Sequence, residues 1–466
     1  MMDDEAQAQS VTPAESRKRG RLQLWGDAAL RRRFINIGHL LSGNGINGLI
    51  ALVGVAMTAR SLGPVEYGIL ALVISYIRVF DRLMRFESWQ PLIKYAAQVA
   101  QDGGDQAEQL RALFAFGLWL DVGACLAAAL LASLVAVLFA PLLGMNHTHI
   151  LLVCINAVTL LFNISGTPTA VLRLAGRFRT IAYVQVTGSI VRVALCAAGL
   201  WFHGGLIFFI CAWTISQIVS SLLFLLVSLV ELRRQGIVSL HRVPVRGITR
   251  RFPGIMGFAW SSSLSTSIRT SSMSLDVLIV GALADHRSAG LYFVAKQVAK
   301  VVQQVCAQVQ AVLYPDVARL WAQGALARFR GAVVQVQVIL DIFAIAAIAV
   351  LAIGGRWLIG LTMGHAFADT YPLLLVQMVA LAFTMHAAPL RSALLAMGEQ
   401  RAVLHIVLWA TLAFHIVALT FVPMIGAMGA NVAHVVLAVG SAIAMERTLH
   451  RRFSHARAEE RPAAPA

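Results

Sequence analysis

A long series of apolar runs, each close to the length that crosses a bilayer, leaves this chain few ways to fold. A helix needs about 20 apolar residues to span hydrocarbon, and its backbone polar groups must be satisfied within the segment. The runs fall near 34–59, 65–87, 112–140, 149–172, 180–202, 205–230, 254–283, 287–314, 331–353, 371–396, 402–422 and 426–446. Of the 466 residues 58% are hydrophobic and 13% charged, against about 25% charged in a soluble domain. The expected fold is an all-α polytopic membrane protein of about 12 transmembrane helices.

The basic residues test that count. Their net charge of +16 is a matter of topology here and not a nucleic-acid signature. With the N-terminus inside, the Arg/Lys-rich start, the 231–251 segment and the C-terminal arginines all fall on the cytoplasmic side. Only Arg60, Arg287 and Arg356 fall among the outer turns. A wrong number of spans would scramble this alternation. Both termini are therefore expected in the cytoplasm. No short apolar core followed by a small-residue cleavage site is found near the N-terminus, so the first long run reads as a signal anchor.

Several function classes drop out. The longest outer loop, around Gly354 to Asp369, is short, which argues against an enzyme whose active site is built on a large external loop. No nucleophile constellation, phosphate-cradling loop or nucleotide motif is found, so no catalytic residue and no cofactor is expected. The five cysteines lie inside apolar segments without metal or disulfide spacing. The histidines, among them His39, His386, His405 and His415, form no ligand-spaced cluster, and no metal site is expected.

The chain repeats itself. Gly68 and Gly290, Gly176 and Gly398, Arg179 and Arg401, and Gly204 and Gly426 are all separated by one interval. Each half carries an even number of spans, so the halves are parallel repeats about an axis along the membrane normal. The expected organisation is a basic cytoplasmic tail (1–33), a six-helix N-lobe (34–231), a cytoplasmic linker (232–251), a pseudo-symmetric six-helix C-lobe (252–446) and a cytoplasmic tail (447–466).

One span does not suit lipid. Phe258 to Gly281 carries a run of serines and threonines, including Ser265 and Thr266, with Arg269 near its middle and Asp276 beyond it. An intramembrane charge costs about 2.5–3.5 kcal/mol even on mild scales, so this helix must line a polar interior. There Arg269 is expected to face an anionic substrate. The other deep cations are Arg78, Arg192, Lys296, Lys300 and Arg391. Lys296 and Lys300 share a helix face, which Gln303 and Gln304 extend. Arg78 and Lys300 are separated by the repeat interval, and Asn44 and Asn47 map onto the serine-rich stretch. Arg78, Arg192, Arg269, Lys296 and Lys300 are the expected substrate-binding cations of a central cavity. Asn44, Asn47, Ser265, Thr266, Gln303 and Gln304 are its polar lining. Asp276 is the candidate for ion coupling. Asp121 and Asp341 read as buried, hydrogen-bonded or ion-paired carboxylates.

The first outer turn carries a family signature. Ala59-Arg60-Ser61-Leu62-Gly63-Pro64-Val65-Glu66-Tyr67-Gly68 closely resembles the corresponding turn of Wzx-type polysaccharide-unit flippases, which belong to the multidrug/oligosaccharidyl-lipid/polysaccharide exporter superfamily. The turn itself reads as structural. The resemblance extends to the span count and the two-lobe layout. It implies a bacterial inner-membrane protein that moves an undecaprenyl-pyrophosphate-linked oligosaccharide between leaflets by alternating access. A polysaccharide polymerase and glycosyltransferases are the implied partners, besides the lipid bilayer. The alternative is a multidrug or small-molecule exporter of the same superfamily. A carrier of cations would place acids in its cavity, whereas the deep residues here are mostly basic.

Overall fold

A computed structural model describes residues 28–99, 106–138, 147–240, 243 and 248–459; the side chains of 28–44, 46, 265, 268–273, 305, 307–312, 314–316 and 455–459 lie outside that description. Every regular element within it is helical. The first half contains α1 (Ala28–Met84), α2 (Trp89–Val99), α3 (Gln106–Leu138), α4 (His147–Phe162), α5 (Gly166–Leu174), α6 (Phe178–Trp201) and α7 (Leu206–Arg234). After the short α8 (Ile248–Arg251) come α9 (Ile255–Leu283), α10 (His286–Ala322), α11 (Leu326–Met363), α12 (Thr370–Ala396), α13 (Gln400–Ile425) and α14 (Ala427–Glu459).

The protein is an all-α polytopic membrane protein. Among the described residues, nine helical stretches are long and apolar enough to cross a membrane. One of them, Asn47–Val99, takes in both limbs of α1 together with α2. The runs expected at 254–283 and 287–314 correspond to α9 and α10, which are 29 and 37 residues long.

The expected break after the first apolar run is one residue wide. Gly63 sits at φ 71° and ψ 173°, outside helical space, and Pro64 opens the second limb of α1. Glycine supplies the positive φ, and proline at the first helical position gives up an N–H that would have no partner there.

Three local features differ from the sequence reading. The fourth run is divided into α4 and α5 by Asn163–Ser165. An amphipathic α2, burying Pro91, Leu92, Tyr95, Ala96 and Val99, occupies what reads as loop. The supposed outer loop from Gly354 is mostly helix. α11 runs on to Met363, where Gly364 (φ 96°) ends it before a single 3-10 turn, His365–Phe367. Paired glycines alone did not stop a helix with apolar side chains on every turn.

Helix α1 packs against α3, α4, α6 and α7, whereas α12 packs against α10, α11 and α14. The two halves meet where α1 lies against α9 and α10. Large apolar side chains such as Leu130 (70% exposed) and Ile353 (89%) point outward, as expected of a surface that meets lipid.

A buried carboxylate on α3 ties the turn before α2 to the start of α5. Asp121 accepts from Ser88 Oγ and from the Thr167 backbone N–H, both at 2.6 Å. Gly166 is required beside it, because a Cβ there would lie 1.8 Å from Ser88 Oγ. Asp121→Ala strands both donors in a buried site. The expected loss is about 1–3 kcal/mol, read as a lower apparent Tm in detergent.

Candidate functional site

A cavity of about 820 Å³ lies between the two halves. Its wall draws on α1, α4, α6, α7, α9, α10, α12, α13 and α14. At one end, which carries the Gly63 turn, the halves touch through backbone. A Cβ on Gly68 would lie 1.7 Å from the His286 carbonyl oxygen, and one on Gly290 would lie 2.2 Å from the Pro64 oxygen. The two glycines separated by the repeat interval thus face each other across the seam. Tyr67 fills the space below them, its ring 6.0 Å from both Phe293 and Phe367. Arg60 Nη1 donates across the seam to the Leu361 carbonyl at 3.2 Å.

Arg78 and Lys300 each lie ten residues along their helices from Gly68 and Gly290, about 15 Å at the α-helical rise. They reach one cavity at matched depth from opposite halves, and both are exposed to it. The Arg78 guanidinium lies 5.9 Å from the Phe293 ring centroid. Arg192 lines the same cavity and sits 4.9 Å over the Trp213 ring, an attraction worth about 0.5–2 kcal/mol. Its Nε is buried without a hydrogen-bond partner. Among the described residues, no carboxylate lies within ion-pairing distance of Arg78, Arg192 or Lys300.

The carboxylates near the cavity are engaged otherwise. Asp81 accepts from Arg85 Nη2 at 2.5 Å and from Asn163 Nδ2 at 2.8 Å. Asp276 lies behind the wall, 0% exposed, and is bound by Lys296, Tyr292 and His434. Lys296 therefore faces a carboxylate on one side and the cavity on the other.

Of the expected polar lining, Gln303 and Gln304 are on the wall. The Gln304 Oε1 is buried against Gly48 without a partner. Asn47 is not on the wall and accepts from Ser189 Oγ at 2.6 Å. Thr266 is half-buried on α9. The side chains of Asn44, Ser265 and Arg269 lie outside the described residues.

The sequence reading did not find the cavity's remaining polar groups. Asn156, Gln217, Gln377, Thr384 and His434 line it, each within an apolar span. That reading left His386 as a scattered histidine, whereas the residue lies between Asp341 (3.0 Å) and Glu446 (3.2 Å), the three on different helices. Their only signal was polarity within a span, shared with residues that bond locally.

A family model described as "Polysaccharide biosynthesis protein" matches residues 57–372. The chain belongs to that family. Among curated relatives, the inner membrane protein YghQ of Escherichia coli (strain K12) is 25% identical over 357 residues, covering 75% of this chain and 98% of YghQ. Among solved structures, an inward closed conformation of the lipid II flippase MurJ superposes with TM-score 0.70 at 14% identity, covering 88% of this chain and 87% of that one. An inward-facing multidrug resistance transporter of the MATE family and MOP superfamily gives TM-score 0.64 at 16% identity, covering 91% and 96%. The fold of this protein is the fold of that exporter superfamily, one shared by transporters and flippases.

Proposed function

We propose that this polysaccharide biosynthesis protein is a flippase that carries an undecaprenyl-pyrophosphate-linked oligosaccharide across the bacterial inner membrane. The observation that carries the reading is the set Arg78, Arg192 and Lys300, three cations around one cavity with no carboxylate among the described residues within ion-pairing distance. Buried cations are expensive unless something compensates them. A pyrophosphate supplies that charge, and guanidinium and ammonium groups are its usual partners. Side-chain amides such as Gln303 and Gln377 suit the hydroxyls of a sugar. Lys296, held from behind by Asp276, completes the cation set, and Arg269 joins it by its place in the sequence.

The proposed architecture is two six-helix lobes, 34–231 and 252–446, joined by the 232–251 linker, with the 1–33 and 447–466 tails in the cytoplasm. α1 counts as two spans and α9 and α10 as one each. The backbone contact at Gly68 and Gly290 is then the outer seal, and alternating access opens it while closing the cytoplasmic end. Fold likeness to MATE transporters keeps a small-molecule exporter as the second reading. A cationic cargo does not suit the wall, because its described carboxylates are already engaged.

The test is the pair Arg78→Ala and Lys300→Ala. Each deletes a charge-assisted contact worth about 1.5–3 kcal/mol, so each should weaken binding of a short-chain P1-alkyl, P2-glycosyl pyrophosphate by roughly tenfold or more. The double variant, at normal abundance in a deletion strain, should lose surface polysaccharide. Parental polysaccharide levels in that strain would overturn the assignment. Loss of dye efflux with polysaccharide intact would point to the exporter.

A further inference from the structure

The environment of Asp276 ties a second chemistry to the cavity. Its carboxylate is 0% exposed and accepts from Lys296 Nζ at 2.6 and 2.7 Å, from Tyr292 Oη at 2.8 Å and from His434 Nε2 at 3.0 Å. The adjacent Val277 N–H donates to it at 2.7 Å. Two of these partners also line the cavity, Lys296 with 26% of its side chain exposed and His434 with 11%. The imidazole is held in place by the Phe414 ring, 4.6 Å away.

A lysine ammonium on a flexible stem is a mobile charge, and here it has two places to go. An anion in the cavity competes with Asp276 for it. If the ammonium turns to the anion, the carboxylate keeps its burial and loses its counter-ion, which is strongly unfavourable. A proton replaces that charge on the carboxylate itself, without the further oxygen ligands a metal cation would need. His434 connects the carboxylate to cavity water and can deliver one. The balance is simple: one ammonium leaves and one proton arrives, shared by the Asp276 carboxylate and the His434 imidazole.

The surrounding charges agree with this exchange. From α10 the carboxylate meets Lys296 and Tyr292, with Lys300 one turn further on. From α14 it meets His434, and from α1 the Arg78 charge lies along the same wall. α13 presents Thr411 to the cavity, and its His415 bonds to its own helix at the Thr411 carbonyl. The α2 cation, Lys94, lies against the Tyr95 and Phe258 rings at the start of α9.

We infer that Asp276, Lys296 and His434 form a proton-binding site that fills when an anion occupies the cavity. This rests on the anionic-cargo reading above. Linkage makes the relation reciprocal: anion binding takes up a proton, and acid strengthens anion binding.

The experiment is calorimetric titration of the purified full chain with the same short-chain pyrophosphate diester, whose two charges are fixed across neutral pH. Runs in two buffers of different ionisation heat give the protons taken up per anion bound. The expected uptake is about one proton, with binding weakening by up to roughly tenfold for each unit rise in pH. In Asp276→Asn the uptake should vanish, and binding at alkaline pH should tighten by roughly tenfold because Lys296 is no longer held back. Should that variant fail to fold, the two-buffer result on the parent decides alone. Binding without proton uptake overturns the linkage and leaves the cargo reading standing. No binding at any pH overturns the cargo reading and this inference with it.

Discussion

Gly68→Ala is expected to stop the two halves from closing at the turn end and to abolish surface polysaccharide in a complemented deletion strain. The added methyl would lie 1.7 Å from the His286 carbonyl oxygen and 3.1 Å from the Gly290 nitrogen. Both obstacles are backbone, so no side chain can rotate aside. Over-packing costs about 1–3 kcal/mol where side chains can adjust and more where backbone must move. A cost of that size changes the ratio of closed to open forms by at least roughly tenfold. Gly290→Ala should act alike, since its Cβ would meet the Pro64 oxygen at 2.2 Å. Ala289 is fully buried beside this contact. In a chain without its native cysteines, Ala289→Cys should resist a membrane-impermeant thiol reagent, and adding Gly68→Ala should make it reactive. Unchanged reactivity together with parental polysaccharide would show that the glycine contact is not a gate.

That seam was half legible in the sequence. The repeat interval identified Gly68 and Gly290 as equivalents, and a small residue invites close approach. Nothing in the interval said that equivalents would touch. That follows from how the two halves meet, where each glycine lies against backbone of the other half. The same reasoning carried Arg78 and Lys300 correctly to equal depth. It put Lys296 on the same wall but did not foresee its pairing with Asp276, because the two stand on different helices and periodicity along one helix says nothing about its neighbour. His434 was passed over for a related reason: one histidine in an apolar span looks the same whether it bonds locally, as His415 does, or reaches a carboxylate from another helix. The spans themselves were easier to read: the runs at 254–283 and 287–314, polar as they are, correspond to α9 and α10.

Lys296→Met should be the most destabilising single change in the second half. It leaves Asp276, 0% exposed, with hydrogen bonds from Tyr292 and His434 and no ammonium. Removing one partner of a buried pair costs about 3–5 kcal/mol, chiefly from the charge left behind. The apparent Tm in detergent should fall by several degrees. The loss should deepen with rising pH, because a proton that compensates the stranded carboxylate becomes harder to supply in alkali. Adding Asp276→Asn removes the stranded charge while keeping the shape, so the double variant should recover most of the lost stability and show little dependence on pH. A Lys296→Met protein as stable as the parent at pH 8 would mean that the pair adds nothing to the fold. Recovery in the double variant separates the two duties of Lys296, because a chain restored in stability still lacks the ammonium that an anion would draw into the cavity.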